Sequence, residues 1–197
     1  MKRLLSNLKA FAAVLAIGAI LSGCAARAAD LSEPVILVAS SPLDDTPFEQ
    51  AVVLATPLPD GSHIGFIINK PTGVTLKEVL PDDQAAGKVE ESVYLGGPVL
   101  LPSVFAITSK PPESADDAIP LMRGLFVVVD RDAIDRILAT TPNDARFFLG
   151  MMVWKPDALE EEVRQRFWEI RQADAEAVLH AKSAGLWKLL RGSGPYI

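Results

Sequence analysis

The run Gly65-Phe66-Ile67-Ile68-Asn69-Lys70-Pro71-Thr72 leaves the backbone few options. Phe66, Ile67 and Ile68 are a short, β-branched apolar run, the pattern of a strand covered on both faces. Pro71 fixes its own φ and pushes Lys70 out of the helical region, so the strand must stop there. Asn69 is suited to hydrogen-bond nearby backbone and set the turn. Thr75-Leu76-Lys77-Glu78 has the spacing of a capping box, which predicts a short helix ending before Pro81. Downstream, Tyr94-Leu95-Gly96-Gly97-Pro98-Val99 repeats the theme: a short strand runs into a turn whose glycines let backbone approach backbone.

Around these two stretches the chain alternates between strand and loop. Val35–Ala39 and Ala51–Ala55 read as buried strands. Pro59-Asp60-Gly61-Ser62 reads as the turn of a hairpin whose second arm is His63–Ile68. Further strands are expected at Val93–Leu95, Val104–Thr108, Leu125–Val129 and, last, Arg146–Trp154, with a surface loop over Lys110–Asp117. Asp130 is placed to cap a helix over Arg131–Ala139. Pro156 opens another helix whose core stripe is Leu159, Val163, Phe167 and Ile170. Ala173–Leu190 reads as helical, interrupted near Gly185. Hairpins first and helices late predict an α+β fold: one compact domain with a mixed, largely antiparallel, partly rolled sheet and the late helices packed on it.

Residues 1–29 stand apart from that domain. Lys2, Arg3 and Lys9 precede an apolar core over Ala10–Leu21, twelve residues long and too short to span a bilayer comfortably. Leu21-Ser22-Gly23-Cys24 follows and resembles a bacterial lipobox, in which the cysteine is lipidated and becomes the mature N-terminus. The alternative is an ordinary secretory cut after Ala26-Arg27-Ala28. Either way the expectation is a signal over 1–29 and a single domain over 30–197, delivered to the periplasmic side of a membrane. Four of the nineteen basic residues precede Asp30, leaving fifteen against twenty-five acidic ones, a net charge of −10 from Asp30 onward. Phosphate affinity comes from Lys and Arg, so this balance argues against nucleic acid as a partner. Cys24 is the only cysteine, so no disulfide is available to the domain.

Reaction chemistry is sparse. His63 and His180 are the only histidines, with no His-x-x-x-His or carboxylate cluster beside them, so no metal site is expected. There is no Gly-x-Ser-x-Gly elbow, phosphate loop or dinucleotide fingerprint, and no cofactor is expected. Trp154, Trp168 and Trp187 fall at apolar positions and are read as packing. The residues best placed to meet a protein partner or small ligand are those of the two rigid turns: Asn69, Lys70, Thr72, Gly96 and Gly97. A rival reading makes an enzyme of Ser40, Ser41, Asp44 and Lys70, and requires those side chains to converge in one cleft.

Taken in order, Ser41-Pro42 to Phe48, Ala51–Leu54, Gly65–Thr72, Tyr94–Val99, Gly150 with Trp154, and Leu159-Glu160 with Trp168 resemble the AlgH/YqgE family over roughly residues 35 to 190. The resemblance implies a compact α+β domain with a partly rolled mixed sheet and no defined reaction. It also implies, from the label of one branch, transcriptional regulation by a cytoplasmic protein. Three features depart from the family pattern. An export signal is present. Asp157-Ala158-Leu159-Glu160 stands for the usual Gly-Gln-Leu-Glu, and Ser109-Lys110 replaces the usual histidine after the strand at 104–108. Export sets the chain apart from DNA.

Overall fold

The computed structural model describes residues 30–192 except 112 and 181. Cys24 and the rest of the expected signal lie outside the described residues. The strands are β1 (Val35–Ala39), β2 (Val52–Pro57), β3 (His63–Ile67), β4 (Tyr94–Leu95), β5 (Val99–Thr108), β6 (Ala118–Met122), β7 (Leu125–Val128), β8 (Ala145–Trp154) and β9 (Trp168–Gln172). The helices are α1 (Leu76–Val79), α2 (Arg131–Thr140), α3 (Ala158–Arg164), α4 (Ala175–His180) and α5 (Leu186–Gly192). All the strands join one sheet in the order β6-β7-β5-β8-β3-β2-β1-β9, with β4 beside β8. Every strand pairing is antiparallel except that of β4 with β8.

The sheet curls into a half-barrel. A buried hydrogen bond shows how far: Thr56 Oγ1 of β2 donates to the Leu121 carbonyl of β6 over 2.8 Å, although those strands stand well apart in the sheet order. Side chains divide accordingly. One apolar cluster fills the concave face, with Phe66 against Phe105 and Phe148, and Val178 and Leu186 from the C-terminal helices closing over it. A second, outside β1–β3, packs Leu37, Val53, Ile67 and Trp154 under Leu159 of α3. The third lies outside β5–β8, where Ile134 and Leu138 of α2 meet Leu76, Val128 and Phe147. Asp130 caps α2 by accepting from the Ala133 amide at 2.9 Å, and Thr75 and Glu78 form the reciprocal box expected at α1.

Two expectations fail. Arg146–Trp154 is not the last strand, and the stripe Leu159–Ile170 is not one helix. Helix α3 ends at Arg164, Arg166 takes a positive φ of 62°, and Trp168–Gln172 pairs with β1 as the edge strand β9. The physical reason is the apolar edge of β1, whose backbone groups need partners. Glu162 fixes the corner: its Oε2 accepts from the indoles of both Trp154 (2.9 Å) and Trp168 (2.7 Å). Trp168 and Ile170 still join the cluster the helical stripe was meant to fill, now by alternation along a strand. Strand β6 is not among the strands expected from the sequence, and it carries Pro120. Among the described residues it pairs only with β7, and an edge strand tolerates a missing donor.

Strand β8 changes partner midway, and this fixes the centre of the sheet. Beside Phe148 and Leu149 lies β4; from Met152 to Trp154 the neighbour is β3. At the changeover Gly150 takes a φ of 66° and the Gly96-Gly97 turn crosses it. The Gly96 amide donates to the Leu149 carbonyl (2.8 Å), and the Gly96 carbonyl accepts from the Ile67 amide (2.9 Å). A Cβ on Gly97 would stand 2.3 Å from the Met151 carbonyl carbon, and one on Gly150 2.3 Å from the Gly97 oxygen. The obstructing atoms are backbone, so nothing can rotate away. Gly97→Val should therefore lose more than about 4 kcal/mol or fail to fold in urea titration, whereas Gly87→Ala, with open space at its Cβ, should stay within about 0.5 kcal/mol of wild type.

Candidate functional site

The strand-to-turn run at 65–72 lies directly beside the one at 94–99. The Leu95 amide donates to the Lys70 carbonyl (2.9 Å), the Thr72 amide to the Val93 carbonyl (2.9 Å), and Pro71 bridges Tyr94. The two stretches thus form one structural unit, but their side chains divide. Thr72 Oγ1 donates to the Val93 carbonyl at 2.8 Å and so closes this ladder. Gly96 and Gly97 are buried in the crossing with Gly150. Only Asn69 and Lys70 reach an open cleft.

That cleft holds about 600 Å³. One wall is the segment Thr46–Gln50, the floor is Asn69 and Lys70, and the far wall is the stretch Ser183–Gly185 with Trp187 and Lys188 of α5. Asn69 builds the first wall: its Oδ1 accepts from the Val52 amide (2.8 Å) and its Nδ2 donates to the Gln50 carbonyl (2.9 Å). Lys70 Nζ donates to the Pro47 carbonyl at 2.8 Å. Burial pushes the Lys70 ammonium below the usual lysine range, and the nearby Glu49 carboxylate opposes that shift. Trp187 Nε1 donates to the Ala39 carbonyl (2.8 Å), which seats α5 on the end of β1, and the Arg191 guanidinium lies 5.0 Å from the centre of its ring. Trp154 and Trp168 are core residues as expected; Trp187 is partly buried against the concave cluster, also as expected, and lines the cleft as well.

A polar knot holds the C-terminal segment in place behind the cleft. Arg146 is buried on β8 and donates to both carboxylate oxygens of Glu91, each over 3.1 Å, and to the Val178 carbonyl of α4 at 2.9 Å. Its guanidinium lies 5.1 Å from the centre of the Tyr94 ring. The Tyr94 hydroxyl donates to Glu91 (2.8 Å) and lies 2.9 Å from Ser183 Oγ, on the cleft wall. Burial raises the Tyr94 phenol above its ordinary range. Sequence reasoning missed this group and the Ser183–Lys188 wall. Their one advance signal was the helix break near Gly185, because the partners lie 55 and 89 positions apart in the chain.

The side chains of the enzyme reading do not converge. Ser40 is buried, its hydroxyl donating to the carbonyls of Arg166 and Phe167. Ser41 Oγ accepts from Arg191 at 3.4 Å, and Asp44 is exposed. Among the described residues no side-chain hydrogen bond links any two of Ser40, Ser41, Asp44 and Lys70, and no group of three or more His, Cys, Asp or Glu is arranged to hold a metal ion. His63 is buried in β3 with Nε2 3.0 Å from the Leu31 carbonyl. Asn69→Ala removes two hydrogen bonds that tie the cleft wall to the sheet. It should destabilise the chain by about 1–3 kcal/mol in urea titration and accelerate hydrogen exchange at Val52.

Comparison with known proteins follows the same outline. The family described as AlgH-like (DUF179) matches residues 36–193. A UPF0301 protein of Myxococcus xanthus is 36% identical over 166 residues, covering 82% of this chain and 90% of its own. A UPF0301 protein of Chlorobium limicola is 30% identical over 155 residues, covering 77% and 81%. The solution structure of the AlgH protein from Pseudomonas aeruginosa superposes with a TM-score of 0.64 at 24% identity, over 85% of this chain and 96% of that one. A crystal structure of a Corynebacterium diphtheriae protein gives 0.64 at 20% identity, over 84% and 89%. At these identities the two structures speak to the fold, which they share with the half-barrel described above. The chain belongs to the AlgH-like family.

Proposed function

We propose that this chain is a lipid-anchored binding module on the periplasmic side of a bacterial membrane, which receives a protein partner or small ligand in the Lys70 cleft. The observation that carries the reading is the floor of that cleft. A half-buried ammonium is hydrogen-bonded there to a backbone carbonyl, with the Glu49 carboxylate on the same cleft, so a cation and an anion face what enters. A concave site with a few convergent polar groups and one shifted lysine is a default binding-site hypothesis. No nucleophile–base pair stands beside it among the described residues, which favours recognition over bond-making. Cys24 in its lipobox and the acidity from Asp30 onward support the address.

Each half has its own test. Radiolabelled palmitate should attach to the wild-type chain and bring it into the membrane fraction, while Cys24→Ser should lose both; an unlabelled wild-type chain in the cytosol would remove the anchor from the account. For the cleft, a photo-crosslinking amino acid at exposed Gln50 should capture a discrete partner in cells, and Lys70→Glu should reduce capture by about tenfold or more. Capture at equal yield from a crosslinker at Val74, outside the cleft, would mean that the cleft selects nothing.

A further inference from the structure

Across α5 from the Lys70 cleft lies a second hollow, also of about 600 Å³, with a different lining. It follows from the half-barrel's failure to close. Strand β6 ends one edge of the sheet and β9 the other, and among the described residues neither has a strand beyond it. Between the end of β6 and the end of β9 the concave face is left open. Ile36 and Ile68 line the hollow from the sheet, Met122 from the end of β6, and Leu186 and Leu190 from α5. Ile36, Ile68 and Leu186 belong to the concave apolar cluster, so the hollow continues the core out to solvent. Mouths of barrels are recurrent ligand sites, and this volume is within the ordinary range for one.

Its rim carries two opposite charges. Arg123 is exposed on the β6–β7 turn, and among the described residues it has no hydrogen-bond or ion-pair partner. Asp174 follows β9, with Oδ1 accepting from the Glu176 amide at 3.0 Å. The rim charges do not pair with each other. An aliphatic hollow with a cation and an anion at its mouth complements a single apolar chain bearing a zwitterionic head.

We propose that this hollow binds one chain of a zwitterionic lysophospholipid, with the acyl tail against Ile36, Ile68, Leu186 and Leu190, the phosphate at Arg123 and the ammonium at Asp174. The site is separate from the Lys70 cleft and does not depend on it. The test is titration calorimetry of the purified chain with lauroyl-lysophosphatidylethanolamine below its micelle concentration, with dodecanoate and dodecanol as companions. The expected result is saturable one-to-one binding. Ala177→Trp, which fills the hollow from α4, should abolish it, and Arg123→Ala should weaken it by about tenfold. Arg123 is exposed, so its variant folds whatever befalls Ala177→Trp, and circular dichroism checks both. Non-saturable binding, or equal affinity in Ala177→Trp, overturns the site. Dodecanol binding as tightly as the lysophospholipid, with no response to Arg123→Ala, overturns the headgroup assignment.

Discussion

Three glycines allow two backbones to meet where side chains would keep them apart. Gly96 and Gly97 cross β8 at Gly150, and any Cβ there would run into carbonyl atoms of the opposing chain. The contact does more than tighten a turn. It lets β8 hand over from β4 to β3 without leaving the sheet, and it feeds the Gly96 carbonyl to the Ile67 amide so that the gap between β3 and β8 carries no orphaned donor. The long strand β8 thereby serves both halves of the sheet, and the sheet can curl around the Phe66–Phe105–Phe148 group.

The curl sets where recognition is possible. Burying one face inside a half-barrel leaves the C-terminal segment to close its open side, and it does so with short helices rather than another strand. Those helices are held at a few points: Arg146 on the Val178 carbonyl, Trp187 on the Ala39 carbonyl, and Arg171 on the Leu190 carbonyl at 3.0 Å. Between such points the closure is incomplete, and the clefts on either side of α5 are what remains. Asn69 and Lys70 come to one of them because the strand carrying them must stop at Pro71, beside the loop that their own hydrogen bonds fasten.

Local chemistry made much of this readable in the sequence. The Thr75–Glu78 box, the Asp130 cap and the hairpin at Asp60-Gly61 all act through residues next to them, and all are found where the sequence puts them. Trp168 to Gln172 was illegible for the opposite reason. Its 3.6-residue stripe is a sound helix pattern, and only the distant edge of β1 and the carboxylate of Glu162 turn it into a strand. Strand β6 lay out of reach in the same way, since the edge position that lets it carry Pro120 is a property of the finished sheet. At the candidate site, Asn69 and Lys70 were visible as turn residues, and the fold places Thr72, Gly96 and Gly97, named with them, in the joints between strands rather than on the cleft. The cleft's other wall could not be seen at all: Ser183 and Trp187 owe their place to contacts with Tyr94 and Ala39.

If the glycine crossing is the keystone of the sheet, its amides must open only when the whole domain does. Native-state hydrogen exchange reports this residue by residue through the opening free energy of each amide. The amides of Gly96 and Ile67 should exchange with the same free energy and the same denaturant dependence as those of Leu54 and Phe66, in the middle of the β2–β3 ladder. Exchange of Gly96 and Ile67 through a cheaper opening with little denaturant dependence, while β2 and β3 stay protected, would show that the crossing is an ornament on a sheet held together elsewhere.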